Sequence, residues 1–290
     1  TRRQIAFATA DAYLTIIASR RVVESTTRSR DVAKVHFDFA TELEQKGSGS
    51  RLNALRAQQQ YSIDDGLVEV ARLAVYRAQE ALGVLIVAAG PVDAVDEPAF
   101  DVPPDATGPL TAFRTDLKLF AGRQEAAEHV FRDSSKDWWP SLDAIFQPSA
   151  TYPSQFFLPG NSWRLLLQAN VPIFDSGQRA GAKLLRQADV EQSRATLTGG
   201  VTRANSEVRA AREAIAIGER SLASARASAD QAQQVVQITN VSFRAGAATN
   251  IEVIDAERTA RDADFLVTQA EDNLRRARLD LLTALGRFPG

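Results

Sequence analysis

Residues 163–179 read WRLLLQANVPIFDSGQR, and the periodicity changes partway along. From Trp163 to Val171 the side chains alternate: Trp163, Leu165, Leu167, Ala169 and Val171 share one face, and Arg164, Leu166, Gln168 and Asn170 share the other. That is the period of a strand with one greasy and one wet face. From Gln178 the spacing turns helical and stays so to about Arg244, with almost no loop in between. Asp175 or Ser176 can cap that helix, and Gly177 relieves its tight start. Gly199-Gly200 is a soft spot, but no Pro interrupts the run. At 1.5 Å per residue such a helix reaches roughly 100 Å. No compact globular domain needs one that long. Its interior, for example SLASARASADQAQQ at 221–234, is rich in small residues that permit close approach but make a thin core, so partner helices must cover it.

Upstream, residues 141–150 also alternate, and the turn-forming TYPSQFFLPGN separates them from a second stretch at 162–174. Trp138 and Trp139 precede the first stretch and Trp163 opens the second, so aromatic side chains bracket the hairpin. Two readings fit. One is a soluble hairpin resting on helices; the other is a pair of strands from a transmembrane barrel, with an apolar outer face, a polar inner face and aromatic girdles.

The rest of the chain is mostly helical in pattern. Residues 4–46 carry Ile5, Ala8, Ala12, Ile16, Ser19 and Val23 near one stripe, and Gly47-Ser48-Gly49-Ser50 stops the run. A second helix is predicted from about Leu52 to Ala89, ending at Gly90-Pro91. The five prolines of 91–110 imply an extended connector. Helix resumes from about Thr111 to Lys136. KGSGSRLNALRAQ (46–58) aligns without gaps on AGAATNIEVIDAE (245–257), an offset of 199 positions from Gly47 to Gly246. The offset also sets Leu52 on Ile251, Leu55 on Ile254, Ala57 on Ala256, Ala78 on Ala277 and Leu82 on Leu281. Each half is therefore a long helix, a Gly-containing turn and a returning helix.

Composition removes several classes of function. A net charge of −2 gives no basic footprint for nucleic acid, and the absence of cysteine excludes disulfides, thiol catalysis and zinc knuckles. No run of about 18 apolar residues is present, so no helix is predicted to span a bilayer, and the first residues lack a signal-peptide core. His129 with Glu125 one turn earlier is half a metal site, and His36 has no carboxylate three or four residues away. No phosphate loop or nucleophile elbow occurs. Neither catalysis nor a cofactor or metal is expected.

The order of parts resembles the TolC-type bacterial outer membrane efflux proteins. The resemblance rests on the turn AGAATNIEVIDAER with a returning helix ending LLTALG, the strand-to-helix join NVPIFDSGQR, and in the first half GSGSRLNALRAQ, ALGVLIVAAGP and DWWPSLD. It implies a mainly α fold with a small β part. Long antiparallel coiled-coil helices form a trimeric α-barrel tunnel, continued by strands of a twelve-stranded transmembrane β-barrel. The division it implies is 1–140 for the first-repeat helices with their connector, 141–174 for the hairpin and 175–290 for the second-repeat helices. Pro172, lacking a backbone donor, suits the point where sheet pairing ends. The family has two hairpins per protomer and only one is visible here, so the chain is expected to lack an N-terminal part.

The same resemblance implies a passive outer membrane exit duct, with its helical part in the periplasm, serving an inner-membrane pump through a periplasmic adaptor protein. It places Glu252 and Asp255 as threefold acidic rings at the periplasmic entrance. The repeat sets Arg56 at the position of the first half that corresponds to Asp255, where it would partly neutralise the ring. The bland reading of Glu252 is a carboxylate stabilising a helix N-terminus. Gly47, Ser48, Gly49 and Ser50, with Gly246, Ala247, Ala248 and Thr249, would form the tips that meet the adaptor. Trp138, Trp139 and Trp163 would sit at the membrane interfaces against outer membrane lipid. The competing class is a soluble coiled-coil or adaptor-like interaction protein.

Overall fold

The computed structural model describes residues 2–96, 98, 100, 109–150, 152–153, 157, 160–171 and 173–288. Its helices are α1 (Arg2–Gln45), α2 (Arg51–Leu85), α3 (Leu110–Phe113), α4 (Thr115–Asp133), α5 (Gln178–Arg244) and α6 (Asn250–Ala284), with strands β1 (Ser141–Ala150) and β2 (Asn161–Asn170) between α4 and α5. The chain forms two compact units, one of residues 1–113 with 204–290 and one of residues 114–203. Helix α5 runs unbroken through Gly199-Gly200. Gly200 lies so close to Phe120 and Leu117 of α4 that a Cβ there would meet the Phe120 ring at 2.9 Å.

The repeat is reproduced residue for residue in the first unit. Helices α2 and α6 are both 35 residues long and begin and end at the same offset. Ala57, Asp64, Ala71 and Ala78 of α2 are buried at strict seven-residue spacing, and so are Ala256, Ala263, Ala270 and Ala277 of α6. A seven-residue apolar repeat is the seam of a left-handed coiled coil, and Ala on it lets helices approach closely. Along α1 and α2 the seam carries a cluster of Ile16, Ile17, Ala78, Leu82 and Ala94. Along α5 and α6 it carries Ala232, Val236, Ala256, Ala260 and Ala263, and further on Val208, Ala211, Leu281 and Leu285.

Three boundaries differ from the sequence reading. Helix α2 stops at Leu85 rather than near Ala89, because the chain folds back over Gly83: a Cβ there would meet the Gly90 carbonyl oxygen at 2.4 Å, Val87 takes φ 59°, and Val92 N–H donates to the Gln79 carbonyl at 3.1 Å. The described start of the connector is therefore packed rather than free, with Ala94 fully buried and Tyr13 Oη donating to the Asp96 carbonyl at 2.7 Å. The predicted helix over 111–136 is broken at Arg114, whose extended backbone (φ −83°, ψ 121°) accompanies a guanidinium fork on Asp116 at 2.7 and 3.1 Å. Strand β2 ends at Asn170 rather than 174, since its last partner is Ser141 and the residue before that is Pro140, which has no N–H to donate. Pro172 lies outside the described residues.

After β2 the chain enters α5 through Ser176 (φ 53°) and Gly177 (φ 88°). Asp175 is the cap. Its carboxylate accepts from Gly177 N–H at 3.2 Å, from Arg179 N–H at 2.9 Å and from Arg179 Nε at 2.5 Å, which hold it below the usual carboxylate range, the guanidinium bond foremost. The Arg179 guanidinium also lies 4.3 Å over the Trp138 ring, so the strand-to-helix join is clamped by charge and by cation–π contact.

Candidate functional site

Two places gather the residues singled out above, one in each unit. The first is the pair of helix turns. Gly47 and Gly246 adopt φ 72° and 76°, and Gly47 and Ser48 N–H bond Glu44 and Leu43 carbonyls as Gly246 and Ala247 N–H bond those of Phe243 and Ser242. These are αL helix stops that an L-residue with Cβ resists. Ser50 and Thr249 then cap α2 and α6, accepting from Leu52 N–H at 3.2 Å and Glu252 N–H at 3.4 Å. Of the matched positions at which the turns differ, Gly49 against Ala248 changes the space available. A Cβ on Gly49 would meet Leu43 Cβ at 2.7 Å and Glu44 N at 2.9 Å. The Gly49 amide bonds Leu43 O at 2.8 Å, whereas that of Ala248 reaches Ser242 O at 3.3 Å. Gly49→Ala is expected to cost about 1–3 kcal/mol of overpacking, read as a lower urea midpoint, although the sister turn already carries Ala.

Glu252 belongs to a capping box: its carboxylate accepts from Thr249 N–H at 2.6 Å and from Thr249 Oγ1 at 3.0 Å, and the backbone bond foremost lowers its pKa. The bland reading of Glu252 thus describes its present hydrogen bonds. Asp255 is exposed on the same helix side, and both line a groove of about 510 Å³ walled by α5 and the turn, including Val235, Ile238, Ala247 and Ala248. Arg56 is half-buried, and no ion pair joins it to Glu252 or Asp255 among the described residues. The structure brings the two carboxylates together and leaves Arg56 apart from them.

Sequence reasoning missed the polar ties behind this groove. His36, buried on α1, donates through Nε2 to Asn250 Oδ1 at 2.7 Å, and Asn250 Nδ2 reaches the Asn53 carbonyl at 3.4 Å, so the two turns are joined side by side. Burial foremost lowers the His36 pKa and keeps the ring neutral. Asp64, also buried, accepts Arg261 Nη1 at 2.7 Å and Gln60 Nε2 at 3.1 Å. Glu271 draws Arg21 of α1, Arg226 of α5 and Arg275 of its own helix to one carboxylate. One signal was available: Asp64 interrupts an alanine seam at a position where the repeat has Ala263. The exposed His129–Glu125 contact stands at 3.9 Å, and no group of three metal-ligating side chains occurs among the described residues.

The second place is the hairpin. β1 and β2 pair antiparallel from Ser141 with Asn170 to Ala150 with Asn161. The register puts Leu142, Ala144, Phe146 and Pro148 on the same face as Ala169, Leu167, Leu165 and Trp163, a wholly apolar surface. The opposite face holds Ser141, Asp143, Gln147, Arg164, Gln168 and Asn170 around one Ile145–Leu166 pair. Every strand residue is exposed, Leu142 at 76% and Leu167 at 68%. Trp139 stands just before β1 and Trp163 lies level with Pro148, so exposed indoles mark both ends. The nine steps of a ten-residue strand at about 3.3 Å each, tilted about 40°, span roughly 23 Å, close to the apolar band of outer membrane barrels. No helix among the described residues is long and apolar enough to cross a membrane.

A family model described as outer membrane efflux protein matches residues 111–287. The outer membrane protein OprJ of Pseudomonas aeruginosa is 26% identical over 299 residues, covering 95% of this chain and 60% of OprJ, so the chain spans about three-fifths of that relative's length. Among solved structures, the outer membrane protein VceC of Vibrio cholerae superposes with a TM-score of 0.81 at 16% identity, over 98% of this chain and 70% of VceC. The open-state outer membrane channel MtrE of Neisseria gonorrhoeae gives 0.81 at 15% identity, over 98% of this chain and 66% of MtrE. At such identities these likenesses concern the fold: long helices with a small strand hairpin, arranged as in those outer membrane channels.

Proposed function

The chain belongs to the outer membrane efflux protein family, and from that premise we propose that it is the exit duct of a tripartite export system, a trimer with its hairpin in the outer membrane and its helices in the periplasm. The observation that carries this is the hairpin register, which gives an apolar face from Leu142 with Ala169 to Pro148 with Trp163 that stays exposed among the described residues. An isolated two-stranded sheet with open edges is unstable in water and intolerable in lipid, so neighbouring strands must close it. The helices make the same demand. Leu52, Leu55, Ile63, Val70 and Leu73 form an exposed apolar stripe on the face of α2 opposite its alanine seam, a seat for an adjoining copy.

In this reading the two turns meet a periplasmic adaptor, which couples the duct to an inner-membrane pump, and the duct itself does no chemistry. The intact protein should extract only with detergent and run as a heat-resistant trimer. A detergent-free monomer would sink the proposal in favour of a soluble coiled-coil protein.

Asp255 supplies the selectivity and Glu252 mainly secures the helix start. A unit charge 6 Å from a passing ion is worth about 0.7 kcal/mol even in water, or about threefold in permeability. Because the same charge repels an anion as much as it attracts a cation, Asp255→Asn is expected to lower the cation-to-anion permeability ratio about tenfold at low salt in planar bilayers, and less at high salt as screening grows. Unchanged selectivity would move the gate elsewhere in the duct.

A further inference from the structure

Glu257 is an acid with both carboxyl oxygens enclosed and unpaired, and the duct reading does not use it. It sits two turns into α6, just behind the turn, and neither of its carboxyl oxygens is solvent-exposed or hydrogen-bonded. Its natural partner is Arg261, one turn later on the same helix, and Glu four residues before Arg is the favourable order for a helical ion pair. Yet Arg261 is engaged elsewhere, on Asp64 of α2 at 2.7 Å and Asp262 at 3.2 Å. The other charged groups around Glu257 are also committed. From α1, Asp31 pairs with Arg30 at 2.6 Å and His36 donates to Asn250; from α5, the Arg244 guanidinium lies 5.9 Å over the Phe39 ring. On α2 the facing charge is Asp64 itself, of the same sign as an ionised Glu257.

We propose that Arg261 is the shared cation of a proton-operated catch: with Glu257 protonated it ties α6 to Asp64 of α2, and when Glu257 releases its proton to water the guanidinium is drawn back along α6 and the tie slackens. The protonated acid needs no counter-charge and tolerates its enclosed place, whereas the carboxylate must find one; Arg258 next to it is exposed, and Arg261 is the cation one turn along the same side of α6. Burial foremost, with the Asp64 charge second, pushes the Glu257 carboxyl up to about 7. Because that value lies above the ordinary glutamate range, the packing is most stable below about pH 4.5, where the acid is protonated folded or unfolded. Stability is lost as pH rises through about 7. The catch stands on these contacts alone.

The test is the thermal midpoint of the detergent-solubilised intact protein from pH 4.5 to 8.5, for the parent, Glu257→Gln and Asp64→Asn. Glutamine keeps the shape of the neutral acid, so the parent and Glu257→Gln should coincide at the acid end and separate by several degrees above pH 7, the variant being the more stable. Subtracting the two profiles removes His36 and every other titration they share. Asp64→Asn frees Arg261 for Glu257, and adding Glu257→Gln to it should then give no stabilising step between pH 5 and 8. Parallel profiles for parent and Glu257→Gln, or an equal step in the Asp64→Asn background, would overturn the proposal. Because the readout is midpoint rather than conductance, a failed catch remains distinguishable from a failed duct.

Discussion

Leu167→Arg should abolish the heat-resistant trimer in the membrane fraction, while Gln168→Arg, one residue along the same strand, should leave it intact. The two positions stand on opposite faces of β2: Leu167 is level with Ala144 among apolar neighbours, and Gln168 is level with Asp143 among polar ones. Leu167 lies near mid-strand, so in a bilayer it sits near the midplane, where an Arg on the lipid face of an outer membrane barrel costs about 2–4 kcal/mol. Threefold symmetry multiplies that cost by the number of copies, which exceeds what a marginally stable assembly tolerates. Gln168→Arg points the same charge into a polar lumen and escapes it. The measurement is trimer yield in isolated outer membranes by electrophoresis without boiling. Equal yields for the two variants would mean that the hairpin does not discriminate lipid from water, and the apolar face would need a protein partner instead.

That asymmetry was legible before any coordinates because both its signals are local. A period of two through Leu165 and Leu167 and a helical period beyond Gln178 can be read in windows of ten residues, and Gly47 and Gly246 announce the turns through the positive φ they supply. The repeat added the equivalence of α2 and α6, since an unbroken offset admits no insertion between turn and helix end. What stayed hidden was set by contacts distant in sequence. The end of α2 depends on the Gly90 carbonyl lying against Gly83, and the split at Arg114 accompanies an extended backbone and a guanidinium fork that no helical period announces. Candidate residues fared unevenly for a related reason. Glu252 and Asp255 are neighbours on one helix and line one groove, whereas Arg56 holds the position equivalent to Asp255 in the other half, and an internal repeat relates environments rather than contacts. His36 with Asn250 and Arg261 with Asp64 are 214 and 197 positions apart, and nothing in their local sequence marks them as partners.

The Arg261–Asp64 pair carries the largest expected loss among the helices, and its removal should be asymmetric. Arg261→Met deletes the cation and leaves Asp64, whose side chain is 5% exposed, with only the Gln60 amide for company and the Glu257 carboxyl nearby. Breaking a buried pair from one side typically costs about 3–5 kcal/mol, because the charge left behind has neither water nor partner. Removing both ends is a different experiment. The repeat already supplies the apolar version of this position, Ala263 on α6, so Asp64→Ala combined with Arg261→Met restores a seam of the kind the second half uses. The double variant should recover most of the loss, since replacing a buried ion pair by apolar side chains is often neutral or better. The recovery itself is the coupling energy of a double-mutant cycle, read from urea midpoints of the solubilised trimer for the parent, both single variants and the double. An Arg261→Met variant as stable as the parent would mean that water reaches Asp64 when the guanidinium leaves. A double variant no better than Arg261→Met would mean that the arginine's aliphatic stem, rather than its charge, holds α6 to α2.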